Sequence, residues 1–239
     1  LRNSIFIDNT ASEFISEEYV RYLASNIGVV TCNKIACAGS FKNYLDLKKI
    51  SRRYNTPFLF ETNVGAGLPV IDTLNNLIAS GDKIHKIQAI LSGSLNYIFN
   101  KFNSKTTFKK VVQSAQNEGF TEPDPKIDLS GVDVARKILI LARESGFKLE
   151  LKDIVNRNFL PLEVLNSLSN EEFYNAIDKN EVHFQNILKN AKEKGARLKY
   201  VAQLEQGKAS VGLQEIESSH DFYNLEGSDN IILFYTSRY

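Results

Sequence analysis

Apolar positions run through residues 4–8 (SIFID), 27–34 (IGVVTCNK) and 57–64 (PFLFETNV), which predicts three short strands, the first of them buried. Between them the spacing becomes helical. Residues 11–26 place Phe14, Tyr19, Val20 and Leu23 on one face, and residues 40–55 do the same with Phe41, Tyr44, Leu45, Leu47 and Ile50. Strand, helix, strand, helix, strand is the order of a parallel sheet with crossover helices. Such sheets gather functional residues at the carboxyl ends of their strands. Here those ends carry Asp8-Asn9-Thr10, Thr31 to Lys34, and Glu61 to Asn63. Three polar clusters are therefore expected on one edge, although each can also serve only as a turn or a cap, Thr10 and Ser12 for the first helix.

Gly65 and Gly67 come next, but Val70 stands where the third glycine of a dinucleotide fingerprint would be. The loop reads as a tight strand-to-helix turn or as exposed backbone able to bind an ion. Pro69 suits the first turn of a helix running to about Ala79 and stopping at Gly81. Residues 85–91 alternate like a strand. Ser92-Gly93-Ser94 reads as a turn before a helix, the kind of place where anions bind. Residues 106–119 form an amphipathic helix ended by Gly119. Beyond about residue 150, residues 159–164 (FLPLEV) read as extended and residues 170–195 as helices with charged surfaces. Residues 197–216 read as a hairpin turning near Gly207, and 230–239 as a further strand. The expected fold is thus an α/β parallel unit followed by an α+β unit with an antiparallel or mixed sheet.

Composition adds mostly exclusions. The chain has 239 residues, 43% apolar and 24% charged, with a net charge of +1. That balance offers no basic patch for nucleic acid or a membrane surface. No apolar run reaches the roughly 20 residues of a membrane span, and the first residues lack the basic-then-apolar pattern of a signal peptide. Cys32 and Cys37 have no second pair, which disfavours structural zinc and fits a reduced, cytoplasmic setting. His85, His183 and His220 are too scattered to favour a metal triad. Methionine is absent, and both ends read as strands, so the chain is expected to be part of a longer polypeptide.

The densest chemistry lies in TEPDPKIDLSGVDVARK, residues 121–137. Pro123 and Pro125 are expected to forbid helix through the acidic turn, and a helix is expected from Ser130-Gly131 to Ser145 with Gly146 as its stop. Ser130 and Asp133 have capping-box spacing. Asp133 and Lys137 stand four apart, where an exposed ion pair contributes only about 0.3–0.5 kcal/mol. Yet Val132, Val134, Ala135, Ile138, Leu139, Leu141 and Ala142 cover well over half the helix circumference, so it should be largely buried. Asp133, Lys137 and Glu144 share a stripe beside that arc, and Arg136 and Arg143 lie further round, as solvent-facing residues would. Charges on such a helix must be paired or face a polar cavity. With Glu122 and Asp128 added, the stretch reads either as a site for a small ligand bearing an amine and a carbonyl or hydroxyl, or as a structural ion network.

ETNVGAGLPVI, ILSGSLNYIF and EGFTEPDPKIDLSGVDVARKILILARESG, with DNTAS at 8–12 and VVTCNK at 29–34, resemble homoserine dehydrogenase, most closely the form fused behind aspartokinase. The resemblance implies NAD- or NADP-dependent interconversion of L-aspartate 4-semialdehyde and L-homoserine. It implies that Lys137 is the proton donor, that Glu122, Asp128 and Asp133 bind substrate, and that Thr10, Lys34 and Gly119 lie at the cofactor. It makes Glu61, Val64, Ala66 and Leu68 the ligands of a sodium-like monovalent cation. It divides the chain into residues 1–64, the carboxyl-terminal part of a Rossmann-type nucleotide-binding domain, and residues 65–239, a substrate-binding and dimerisation domain. A homodimer or higher homo-oligomer is implied, with an aspartokinase module in the same polypeptide.

The family's Gly-rich fingerprint and its closing segment do not occur among these 239 residues, so the isolated chain is expected to bind NAD(P)H poorly and to be inactive. The residue that would choose NAD or NADP is expected upstream. Two alternatives stand beside this reading: a non-catalytic dimerisation and substrate-domain remnant, or a related amino-acid dehydrogenase.

Overall fold

The computed structural model describes residues 3–238. Its first part follows the alternating pattern. Strands β1 (Ile5–Asp8), β2 (Gly28–Thr31) and β3 (Phe58–Leu59) pair in parallel, in that order. Phe6, Val29 and Phe58 share one face and pack against helices α2 (Tyr19–Ala24) and α4 (Phe41–Arg53), with Tyr19, Leu23 and Leu47 buried beneath them. The other face leaves Ile5, Ile7 and Leu59 more than half exposed, so β1 is not the buried strand its apolar run predicts. The first predicted helix is two: α1 (Glu13–Glu17), capped by Ser12, and α2, with Glu18 between them. A four-residue helix, α3 (Ile35–Ala38), follows β2. The strand expected through residue 64 ends at Leu59. Glu61–Asn63 wind into a 3-10 turn instead, which stacks the polar end on helix α5 (Val70–Ala79). Pro69 precedes α5 as its cap residue rather than forming its first turn.

The second part is a five-stranded mixed sheet with order β5-β7-β6-β4-β8. Strands β6 (Arg197–Glu205) and β7 (Lys208–Ile216) form the predicted hairpin. Gln206 and Gly207 both take positive φ at its two-residue turn, which matches the right-handed twist of the flanking strands. Strand β4 (Ile84–Ile90) runs antiparallel to β6 and to β8 (Ile231–Thr236). Strand β5 (Val155–Arg157), which no pattern predicts, adds a parallel edge to β7.

One face of this sheet carries Ile87, Ala89, Ala202, Leu204 and Val211 into the core beneath helices α6 (Gly93–Lys101) and α9 (Val132–Glu144). Helices α7 (Phe108–Asn117), α11 (Asn170–Lys179) and α12 (Glu181–Glu193) extend that layer around Phe108, Phe173 and Phe184. Two prolines mislead the sequence reading. Pro125 opens a short helix, α8 (Pro125–Leu129), and Pro161 opens α10 (Leu162–Leu165). At a helix start the missing N–H of proline costs nothing, since that donor has no intrahelical partner.

Candidate active site

The site begins where β1 and β2 end. Asp8 is 1% exposed, and its carboxylate accepts hydrogen bonds from the Tyr19 hydroxyl at 2.5 Å, the Thr10 amide at 2.7 Å and the Asn33 side-chain amide at 3.1 Å. Burial alone would raise its pKa. The hydrogen bonds from Tyr19, Thr10 and Asn33 outweigh burial and hold the carboxyl below the ordinary aspartate value. This network fixes the two strand ends relative to each other and presents Thr10 and, at the start of α3, Lys34.

Helix α9 supplies the second wall. Its cap residue is Gly131, with φ of 72°, and Ser130 makes no capping box with Asp133. The Ser130 hydroxyl instead donates back to the Ile127 carbonyl. Among the described residues the Asp133 carboxylate accepts no backbone hydrogen bond and pairs with ammonium groups instead. Its Oδ2 lies 2.8 Å from the Lys137 ammonium and its Oδ1 3.4 Å from the Lys34 ammonium. Burial would raise the Asp133 pKa, but the charges of Lys137 and Lys34 prevail and hold it below the ordinary value. Lys137 also donates to the Leu91 carbonyl at 2.7 Å. Among the described residues those two partners leave one of its three N–H groups unclaimed.

Gly131 is required twice over. Its backbone is left-handed, and a Cβ there would meet the Tyr200 hydroxyl at 1.8 Å. Tyr200 is 1% exposed and donates to Asn156, whose own amide donates to the Ser130 carbonyl. Sequence reading misses this seat of α9 because Tyr200 lies 69 positions away.

The third wall joins α6 to α8. Ser92-Gly93-Ser94 is not a separate turn: Ser92 caps α6, and Gly93 and Ser94 are its first residues. The anion at this helix start is the protein's own Asp128, which accepts from the Ser94 hydroxyl at 2.9 Å and from the Glu122 amide at 2.8 Å. Burial raises the Asp128 pKa above the ordinary value against those two hydrogen bonds, and the nearby charges of Glu122 and Asp133 add to the rise. The Glu122 carboxylate is exposed and forms no ion pair among the described residues.

A cleft of about 620 Å³ unites Thr10, Cys32, Lys34, Glu122, Asp128 and Asp133. Lys137 stands behind Asp133 on the next turn of α9. Gly119, with φ of 78° at the end of α7, is not among the cleft's lining residues. The glycine loop is also apart from it. The Glu61 carboxylate accepts from the amides of Ile71 at 2.7 Å and Asp72 at 2.9 Å, capping α5. The Leu68 carbonyl accepts from Val70, while those of Val64 and Ala66 accept no hydrogen bond among the described residues. The three histidines do not cluster, and among the described residues no group of histidine, cysteine and carboxylate side chains could hold a metal ion.

Arg143 is expected to face solvent, and Glu144 to share the stripe of Asp133 and Lys137; the structure gives both other roles. Arg143 is 3% exposed and donates to the carbonyls of Cys37, Gly39 and Leu149 and to the Glu150 carboxylate. Glu144 accepts from Tyr44 and Lys48 on α4, not from the cleft. The far end of α9 thus grips α3 and α4 while its near end holds Lys34, so one rigid helix sets the spacing across the cleft.

Comparison with known proteins bears on the family and the fold. A family model described as homoserine dehydrogenase matches residues 69–239. The chain is 43% identical, over 99% of its length, to a chloroplastic bifunctional aspartokinase/homoserine dehydrogenase of Arabidopsis thaliana, of which it spans 26%. Its fold superposes with a TM-score of 0.92 on a crystal structure of a Candida auris protein of unknown function, at 35% identity, covering 98% of this chain and 68% of that one. It superposes with a TM-score of 0.73 on a hyperthermophilic archaeal homoserine dehydrogenase in complex with NADPH, at 25% identity, covering 98% and 62%. Among the described residues no helix is long and apolar enough to cross a membrane. The chain, which covers about a quarter of the plant relative, belongs to the homoserine dehydrogenase family.

Proposed function

We propose that the protein containing this chain reduces L-aspartate 4-semialdehyde to L-homoserine with NADPH or NADH, and runs the reverse reaction. The observation that carries the reading is Asp133, which lines a cleft beside the exposed Glu122 carboxylate and bridges Lys34 at the strand end to Lys137 on α9. In this reading residues 1–64 are part of a Rossmann-type nucleotide-binding domain, and residues 65–239 bind substrate and dimerise. The donor set suits a nicotinamide cofactor, because Thr10 and Lys34 offer a hydroxyl and an ammonium at the carboxyl ends of parallel strands. The archaeal relative is described with NADPH, which favours NADP.

When bound, the reduced nicotinamide supplies the hydride that converts the aldehyde carbon to an alcohol carbon. Lys137 delivers the matching proton to the carbonyl oxygen, and takes one back in oxidation. Asp133 holds that ammonium in place and, with Lys34, keeps the cleft's two walls in register. The exposed Glu122 carboxylate suits the substrate's ammonium group. Asp128, tied to Ser94 and to the Glu122 amide, orders the acidic turn and offers a further acceptor. Gly119, next to the turn, leaves open space where a side chain would stand, which suits close approach of a flat ring.

A monovalent cation fits the carbonyls of Val64 and Ala66, which accept no hydrogen bond among the described residues, better than the Glu61 carboxylate and the Leu68 carbonyl, which already accept amides. A homodimer or higher homo-oligomer and an attached aspartokinase module complete the proposal, the latter because several relatives carry one. We also place the protein in the cytoplasm, although the plant relatives are chloroplastic. Incubating the intact protein with L-homoserine and NADP and following absorbance of the reduced cofactor tests the activity. Turnover with homoserine, and none with other hydroxy amino acids, is expected; turnover only with another amino acid would replace this reading by the related-dehydrogenase alternative.

A further inference from the structure

Lys199, in the middle of β6, is 0% exposed, and among the described residues no carboxylate lies within ion-pair distance of it. Its three N–H groups go to Asn96 Oδ1 at 3.1 Å, to Asn100 Oδ1 at 2.7 Å and to the Leu225 carbonyl. Asn96 and Asn100 stand one turn apart on α6. Their own amides donate to carbonyls of a single segment: Asn96 to Asp229 at 3.1 Å, and Asn100 to Leu225 at 3.2 Å and Gly227 at 3.0 Å. Gly93 touches the same segment, since a Cβ there would lie 2.9 Å from the Ser228 carbonyl. Lys199 is thus the hub of a closed network that joins β6, α6 and residues 225–229.

The same α6 carries candidate-site groups at its start. The Leu91 carbonyl, just before the helix, holds the Lys137 ammonium, and Ser94 holds Asp128. Asn96 follows Ser94 by two residues. A buried ammonium without a counter-charge is costly even when fully hydrogen-bonded. A methionine would fill the volume without that cost, so the physical effect particular to lysine is the placement of the groups it binds.

We propose that Lys199 is a positioning residue for the candidate site: by fastening α6 and residues 225–229 to β6, it sets the Leu91 carbonyl and the Ser94 hydroxyl against Lys137 and Asp128. The catalytic consequence rests on the function proposed above; the structural consequence rests on geometry alone. Burial pushes the ammonium down to about 8; Arg197 on its own strand acts in the same direction, and Glu226 on the latched segment opposes it. Helix α6 faces it with the neutral amides of Asn96 and Asn100. The latch is therefore ionised at neutral pH and gives up one of its three donors in mildly alkaline solution.

Hydrogen exchange read by mass spectrometry on the intact protein, wild type against Lys199→Met, tests the proposal together with steady-state kinetics. Exchange over residues 91–97 and 222–230 should quicken about tenfold, and kcat should fall about tenfold with the cofactor KM within about twofold. In the wild type, exchange over 91–97, corrected for its intrinsic base-catalysed rate, should quicken between about pH 7 and about pH 9, and Lys199→Met should remove that dependence. Faster exchange confined to 222–230, with 91–97 and kcat unchanged, overturns the proposal and leaves Lys199 as a staple for a surface segment. Should Lys199→Met not fold, Asn100→Ser keeps the lysine but removes one acceptor and both loop bonds. It must then show the same pattern at smaller amplitude, and an unchanged 91–97 overturns the proposal. A wild-type protein without semialdehyde reductase activity refutes the functional reading, while the exchange comparison still decides the positioning role.

Discussion

Replacing Gly131 by alanine should unseat α9, and the structure sets the size of the effect. The backbone there has φ of 72°, a region in which an L side chain costs about 1–2 kcal/mol. The new Cβ would lie 1.8 Å from the Tyr200 oxygen, 2.7 Å from Cζ and 3.2 Å from Cε1, all well inside contact distance. Tyr200 is buried and tied to Asn156 at 3.1 Å, so the ring cannot swing away. Overpacking of this kind adds about 1–3 kcal/mol, giving a loss of roughly 2–5 kcal/mol. Urea unfolding of the purified 239-residue chain should show it as a lower midpoint at unchanged slope. Adding Tyr200→Phe removes the nearest atom but leaves Cζ at 2.7 Å, so it should restore only part of the loss. Alone, Tyr200→Phe should cost about 1 kcal/mol, from the bond to Asn156. A stability for Gly131→Ala within about 0.5 kcal/mol of the parent, or the absence of any coupling with Tyr200→Phe, refutes the argument.

The other predictions concern the carboxylates. Glu122→Gln should raise the KM for the amino-acid substrate about ten- to a hundredfold with kcat little changed, since it removes a charge-assisted hydrogen bond of about 1.5–3 kcal/mol; an unchanged KM removes Glu122 from ammonium recognition. Carboxyl titration by NMR should place Asp133 below the ordinary aspartate value and Asp128 above it. The two have opposite linkage. The Asp133 contribution is present above the unfolded-state value and is lost as pH falls through its lowered folded value, whereas Asp128 favours the folded state as it gains a proton on acidification. The reverse order of midpoints contradicts the described contacts.

Much of this fold is legible because local pattern and tertiary demand agree. The hairpin of β6 and β7 has clean alternation around Gln206-Gly207, and α9 has an apolar arc wide enough to announce burial. Where they disagree, the reading fails for identifiable reasons. Strand β5 is three exposed residues and carries no periodic signal. Helices α8 and α10 sit behind prolines that stop a helix from one side but can start one from the other. Arg143 lies on the polar side of its wheel, yet residues 37–39 and 149–150 cover it, and no single helix pattern contains that cover. The site shows the same division. Asp133 and Lys137 are adjacent on one helix and could be paired from spacing alone. Lys34 and Leu91, which complete their surroundings, are brought in from two other parts of the chain.

Lys137, on the function proposed above, is the proton donor of a homoserine dehydrogenase. The most direct test of that role is single-turnover reduction of L-aspartate 4-semialdehyde by the intact protein carrying Lys137→Met, with NADPH affinity measured alongside. Among the described residues the ammonium's partners are Asp133 and the Leu91 carbonyl, and neither is a residue assigned above to the cofactor. The rate should therefore fall by about 10²–10⁴ while the cofactor Kd stays within about twofold. A variant that turns over at the wild-type rate, or that loses cofactor binding in step with activity, contradicts the assignment.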